Sequence, residues 1–253
     1  TKNMKNFIFT LILANIFCAL NIKAQNDYVE PITKIVEQKY HIVTQAGKHK
    51  KVSDEMVEKI ISESNKIAQE IPLAANGNFV YYDIIECPNQ AKGEIFFNIK
   101  NWLTQTVLGQ NTKITVSDEK LGKIVMNDYV KLYEATHGTI NFTDYRLYIH
   151  PIIQIDVKDG KARMTCSIPY YEVEKDAKAG NGLIGLFMSK DKVWKFGNCP
   201  PYSPVTKETK KYQFYTYLGL LYARCYLDVY IDSFKAVLQQ GISGTGIEND
   251  NDW

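Results

Sequence analysis

Two carboxylates, Asp228 and Asp232, stand four residues apart in a long stretch of helical periodicity. Paired acids on one helical face can divide acid and base roles when one pKa is raised. Arg224 lies four residues before Asp228, and Lys235 three after Asp232, so the spacing equally suits helical ion pairs. Ion pairing is the expectation here. Glu172 and Glu174 share one side of a strand and form a second carboxylate pair, expected to be an ordinary charged strand end. The histidines past the N-terminal segment are His41, His49, His137 and His150, and none forms an H-x-x-x-H or H-E-x-x-H pattern. There is also no G-x-S-x-G nucleophile elbow. No catalytic residue and no metal ligand is assigned. His150 precedes Pro151 within a strand-like run, which marks an edge or a bulge.

Other patterns fail on context. Gly180, Gly182 and Gly185 spell G-x-G-x-x-G, but a dinucleotide site needs a strand before and a helix after, and a charged loop and MSKDKVWKF stand there instead. Asp156-Val-Lys-Asp-Gly lacks the alternating oxygen ligands of a calcium loop. No cofactor is expected. Cys87, Cys166, Cys199 and Cys225 are too widely spaced for a zinc site; disulfide pairing, with three connectivities available to four cysteines, and burial as free thiols both stay open. Tyrosine is the most distinctive type. Tyr222, Tyr226 and Tyr230 recur every four residues, with Tyr212, Tyr215 and Tyr217 upstream. A tyrosine joins an apolar ring to a polar tip, which suits a core margin and a binding surface alike, and packing in the core against the sheet is the first expectation. If any residues bind a partner, these three are the candidates; an envelope protein, a peptide or a glycan would be the partner.

The N-terminal residues narrow the setting. Lys5 precedes an apolar run from Phe7 to Leu20, and Ala24 precedes Gln25. That run is shorter than the roughly 20 residues of a membrane span but has the length of a signal-peptide core. Export to the periplasm, the cell envelope or the medium is therefore expected, with residues 1–24 removed and no transmembrane segment in the mature chain. Those residues hold Lys2, Lys5 and Lys23 and no acid, so the 30 basic residues fall to 27 against 28 acidic ones. A near-neutral chain carries no electrostatic footprint for nucleic acid. The basic cluster Lys48-His49-Lys50-Lys51 is too short to change that and reads as a solvated turn.

The elements that must position these residues follow from periodicity. Residues 28–46 and 53–70 read as two amphipathic helices, the second capped by Ser53 with Asp54 and Glu55 in its first turn. FVYYDIIE (79–86) reads as a strand and EIFFNIKNWLTQTVL as a helix. KITVS (113–117), KIVMNDYVKLY (123–133), residues 142–157 and residues 161–173 read as four strands. Residues 174–211 read as a long loop with one short hairpin, and residues 212–240 as a long helix in which Arg224, Asp228 and Asp232 exclude a membrane span. Asp159-Gly160 is a two-residue hairpin turn. It sets Lys158 against Lys161, Val157 against Ala162, Asp156 against Arg163, Ile155 against Met164 and Ile153 against Cys166. Apolar then meets apolar on one face and acid meets base on the other, a pattern that a one-residue slip would invert.

The run GEIFFNIKNWLTQTVL, ITVSDEKLGKIVMND and IQIDVKDGKARMTCSIPYYEV resembles a family of exported bacterial proteins common in gut Bacteroidetes, a domain of unknown function with a TBP-like fold. Trp102 matches the family's helix tryptophan, Gly122-Lys123-Ile124 its "GKI" strand and Lys158-Asp159-Gly160-Lys161 its "KDGK" hairpin. The resemblance covers roughly residues 79–173. It implies an α+β fold: a TBP-like curved antiparallel sheet, ordered strand, helix, four strands, helix, with both helices on one face and two further helices before it. It brings no catalytic residue. The expected organisation is a signal peptide (1–24), an N-terminal helical segment and linker (25–75), the α+β domain (76–241) with its loop (174–211), and a disordered tail (242–253). A non-catalytic binding or assembly module of the cell envelope is the expected function; a small exported hydrolase whose constellation is assembled from distant residues is the alternative.

Overall fold

The computed structural model describes residues 29–44, 52–104, 112–137, 142–178, 192–207 and 209–240. The expected signal peptide at 1–24, the Lys48–Lys51 cluster, the Gly180–Gly185 pattern and the expected disordered tail at 242–253 lie outside the described residues.

The helices are α1 (Val29–Tyr40), α2 (Asp54–Glu70), α3 (Lys92–Trp102) and α4 (Gln213–Gln240). The strands are β1 (Phe79–Glu86), β2 (Lys113–Asp118), β3 (Lys123–Asn127), β4 (Val130–His137), β5 (Phe142–Ile149), β6 (Ile152–Lys158), β7 (Lys161–Ile168), β8 (Tyr170–Lys178) and β9 (Lys192–Lys195). Five strands form one antiparallel sheet in the order β1-β7-β6-β3-β2, and four form a second in the order β4-β5-β8-β9. The fold is the expected α+β arrangement, but the one expected sheet is two. Three of the four expected long strands each bend into two, because Asp128-Tyr129, His150-Pro151 and Pro169 interrupt them. Proline has no N–H to give a ladder and leaves central strands only at breaks or bulges. The three breaks align in one crease: Asp128 N donates to Pro151 O at 3.0 Å. The strands continue past it in a shifted register. Ile152 pairs with Ser167 but Ile149 with Tyr171, three steps on one strand and four on its partner. Residues 174–178 of the expected loop are instead the end of β8, which runs to Lys178, and β9 pairs with β8.

The hairpin register is the expected one throughout, from Lys158 opposite Lys161 to Ile153 opposite Cys166. Its turn does a second task. Gly160 takes φ +73°, and Asp159 Oδ1 accepts the Lys92 N–H at 2.8 Å. Ala91, the residue before α3, offers no capping side chain, so the hairpin tip supplies the cap that the helix lacks.

The core lies between the sheets and the helices. Ile85, Ile124, Met126, Ile153, Ile155, Met164 and Cys166 point inward from the five-stranded sheet, and Tyr133, Leu147, Ile149, Tyr171 and Val173 from the other. Trp102 on α3 packs edge-on against Tyr230 and beside Phe234 of α4. Helix α4 is buried on nearly every side, as an all-round apolar helix must be. One side faces the sheets; the other faces α1 and α2. The N-terminal helices therefore belong to the same core and are not an appendage. Ser53 caps α2 as expected, accepting the Met56 N–H at 3.3 Å. Ser64 on α2 donates to the Tyr217 carbonyl at 2.8 Å, and the Tyr133 hydroxyl donates to the Thr44 carbonyl at 3.2 Å.

Candidate binding face

Tyr222, Tyr226 and Tyr230 point from α4 toward the sheets and are all buried. The Tyr222 hydroxyl lies between the Thr33 hydroxyl at 3.0 Å and the Thr44 hydroxyl at 3.3 Å, its one proton serving one of them; Tyr226 donates to Asp128 at 3.3 Å; the Tyr230 hydroxyl meets the Met126 sulfur at 3.8 Å. Their rings fill the core margin and their hydroxyls find partners inside it, so the exposed chemistry has to be sought elsewhere. Asp228 receives both Arg224, at 2.9 Å, and Lys39 of α1, at 2.6 Å. Lys235 reaches Asp83 of β1 at 2.6 Å, and its charge also acts on Asp232. Burial raises the Asp232 pKa, yet the group sits among these ion pairs at a helix–helix seam.

The cysteines Cys87, Cys166, Cys199 and Cys225 are free and buried. Burial pushes the Cys199 thiol up to about 11 and the Cys225 thiol up to about 12, so neither supplies a thiolate nucleophile near neutral pH.

The helices cover only one face of the sheets. On the five-stranded sheet the other face can be read row by row from the register. Val80, Ser167, Ile152, Asn127 and Lys113 form one row; Tyr82, Thr165, Gln154, Val125 and Val116 form the next; Ile84, Arg163, Asp156, Lys123 and Asp118 form the third. The third row is charged and internally compensated: Arg163 reaches Asp156 at 2.8 Å. Burial pushes the Asp156 carboxyl up, but hydrogen bonds from Arg163 and Gln154 outweigh it and hold the group below its usual range. The other two rows are almost uncharged, with short hydroxyl and amide side chains between apolar ones. Tyr82 is 61% exposed, Ile84 49%, Val116 41% and Ile152 40%, which places four of the larger exposed apolar side chains on one flat surface.

The same face of the four-stranded sheet differs. Arg146 sits among Glu134 at 3.0 Å, Glu174 at 3.5 Å and Asp144 at 3.7 Å, and Lys131 reaches Glu134 at 2.9 Å. Burial raises Glu134, and the hydrogen bonds from Lys131 and Arg146 more than reverse this. The Tyr148 hydroxyl donates to Glu174 at 3.0 Å; burial first, and then this bond, push the phenol up. At the crease His150 Nε2 lies 3.1 Å from Glu172 Oε2. The Tyr148, Tyr129, His150 and Tyr170 rings follow one another at 4.8, 4.7 and 4.6 Å. Beneath them Asp128 accepts from Thr112 Oγ1 at 2.9 Å and the Tyr129 N–H at 2.8 Å, with burial raising its pKa.

His150 and Glu172 are thus brought together, a pairing that sequence reasoning missed. Continuing the hairpin register past residue 152 would set Tyr148 opposite Tyr171. The extra residue at the crease sets it opposite Glu172 instead. Pro151 and Pro169 were the available signal. The open rows were foreshadowed by the alternation of β1, β6 and β7, whose second face is neither charged nor long-chained. Among the described residues no group of three or more His, Cys, Asp or Glu could hold a metal ion, and no helix is long and apolar enough to cross a membrane.

Residues 81–172 match the family model of a domain of unknown function (DUF4468) with TBP-like fold. A TBP-like protein from Parabacteroides distasonis is similar at 18% identity and a TM-score of 0.39, over 63% of this chain and 95% of that one. A DUF4468 family protein from Bacteroides ovatus is similar at 11% identity and a TM-score of 0.38, over 64% of this chain and 90% of that one. No curated protein matches the chain.

Proposed function

We propose, for a chain whose residues 81–172 form a DUF4468 domain with TBP-like fold, a non-catalytic binding or assembly role in the bacterial cell envelope, exercised through the uncovered face of the five-stranded sheet. A signal-peptide-like N-terminus supports the location. The observation that carries the role is the two uncharged rows around Tyr82, Thr165, Gln154 and Ile152. Three exposed apolar side chains there, Tyr82, Val116 and Ile152, alternate with short donors and acceptors, a surface suited to an extended peptide, a protein surface or a glycan. Function rests on that site and not on the fold, which by itself implies no nucleic-acid binding.

The test is capture from a solubilised envelope fraction, run with the unaltered chain and with Tyr82→Glu and Ile152→Lys. A partner held by the first and lost from both variants, with unchanged thermal unfolding, is the expected result. No captured partner, and no stabilisation by any peptide or glycan tried, would count against the role.

One observation favours a hydrolytic second reading: Glu172 holds the His150 ring in a half-buried site, as an orienting carboxylate holds a general base. Hydrolysis of ester, amide or glycoside probes that disappears in His150→Ala would install that reading. Activity absent from the unaltered chain removes it.

A further inference from the structure

The four sheet edges are not treated alike. Strand β4 carries a register shift between Lys131 and Tyr133, and α1 packs beside it. Strand β9 has only four residues and a lysine at each end. Strand β2 opens on Lys113 and shifts register between Ile114 and Val116. Short strands, lysines, bulges and covering elements are the usual means of keeping an edge from pairing. Among the described residues strand β1 shows no bulge, no lysine and no second strand beside it. Its eight residues, FVYYDIIE, pair with β7 in unbroken register and contain no proline and no lysine. Its apolar side chains Tyr82 and Ile84 are among the most exposed on the sheet.

The direction of its free backbone groups can be assigned. Cys87 N, next in line after β1, donates to Gly160 O on the β7 side at 2.7 Å. Backbone groups alternate along a strand, so those of Tyr81, Asp83 and Ile85 also face β7 while those of Val80, Tyr82 and Ile84 face outward. One outward donor is occupied: the Ile84 N–H is taken by the Asp83 carboxylate at 2.8 Å. Among the described residues no such guard is seen at the Val80 and Tyr82 groups.

We propose that β1 is a self-association edge, at which a second copy of this chain adds its own β1 antiparallel and joins the two five-stranded sheets into one. The sequence of β1 suits a two-fold axis at Tyr82. Val80 then faces Ile84 of the other copy and Asn78 faces Glu86, so apolar meets apolar and no like charges are opposed, as an isologous interface requires. The pairing doubles the uncovered face without using it, so it stands independently of whether that face holds an envelope partner.

The test is sedimentation velocity on the full chain over about 1 to about 200 µM, since dimerisation follows mass action. A concentration-dependent shift from one-chain to two-chain mass is expected. Tyr82→Pro removes an outward donor without touching the β7 ladder, and Ile84→Lys sets a charge at the same edge; both are expected to abolish the shift with thermal unfolding unchanged. Asp83→Ala frees the Ile84 N–H and is expected to tighten the dimer several-fold. A chain that stays monomeric throughout overturns the proposal. So does a dimer that survives both Tyr82→Pro and Ile84→Lys, which would place the contact elsewhere, and so does a chain that pairs only with a strand of another protein.

Discussion

The uncovered faces of the two sheets are made by the same bent strands, yet they spend their polar groups differently. On the four-stranded sheet the carboxylates Glu134, Asp144 and Glu174 converge on Arg146, Glu172 on His150, and the Tyr129 and Tyr148 rings on each other. That surface satisfies itself. On the five-stranded sheet the charges gather toward the hairpin end, in the Arg163 row and the Glu86, Lys161 and Lys158 row beyond it, and apart from Lys113 the other two rows are Thr, Ser, Gln, Asn, Val, Ile and Tyr. A partner approaching the first face must break ion pairs and pay their desolvation; one approaching the second has mainly apolar area and neutral hydrogen-bonding groups to cover. The contrast is why the proposed binding surface is set on the five-stranded sheet, although the other face holds more residues with chemical reputations.

The largest effect should come from removing the platform of the open face. Gly122 takes φ +65°, and its carbonyl accepts the Val157 N–H at 2.7 Å. A Cβ there would collide with the Val157 carbonyl oxygen, a backbone atom that cannot rotate aside. The left-handed backbone alone costs an alanine about 1–2 kcal/mol, so Gly122→Ala should lose about 3 kcal/mol in denaturant unfolding. A loss near zero would mean that the β2–β3 turn, and with it one side of the open face, is not the one described.

Next in size is Arg146→Ala, which leaves three carboxylates crowded without their shared cation. The expected loss at neutral pH is about 1–3 kcal/mol. Its pH dependence has a definite sign. The folded pKa of Glu134 is lowered, so its contribution is present above the unfolded value and is lost as pH falls through the folded one. The gap between the unaltered chain and Arg146→Ala should therefore narrow below about pH 4. A constant gap would show that Arg146 acts by packing, and the picture of a self-satisfied face would fail.

How much of this contrast could be read beforehand depends on distance along the chain. The hairpin was legible to the residue: alternation about Asp159-Gly160 assigned Asp156 to Arg163 and Ile155 to Met164, because the turn and the pairing are local. The same arithmetic fails past Ile152, where the crease inserts a residue, so the His150–Glu172 and Tyr148–Glu174 contacts were hidden. Two carboxylates at 172 and 174 were visible as a pair, but their partners are set by that slip. Periodicity also showed Tyr222, Tyr226 and Tyr230 as a stripe, for which packing against the sheet was the first expectation, and all three are buried. Since α4 is apolar on two sides, it implied a second layer above it, and α1 and α2 supply that layer.

The crease between the faces gives a smaller effect of opposite sign. Burial raises the folded pKa of Asp128, so its contribution is fully present below the unfolded pKa and is lost as pH rises through the folded one. Relative to Asp128→Asn, the unaltered chain should lose about 1 kcal/mol between about pH 4 and pH 7. Unfolding midpoints across that interval check it; parallel profiles would mean that the hydrogen bonds from Thr112, Tyr129 and Tyr226 cancel the burial cost.

The smallest effect belongs to the open face itself. Arg163 pairs with Asp156 much as Arg146 pairs with Glu134, at 2.8 Å against 3.0 Å, but its side chain is 51% exposed against 26%, and it serves one carboxylate where Arg146 is shared by three. Solvent screens the exposed pair, so Arg163→Ala should cost less than about 1 kcal/mol. The geometry of the two pairs is nearly equal, which makes the comparison a test of surroundings and not of distance. If Arg163→Ala proved as damaging as Arg146→Ala, the open face would be held together by its charged row, and a partner could not dock there without disturbing the sheet beneath.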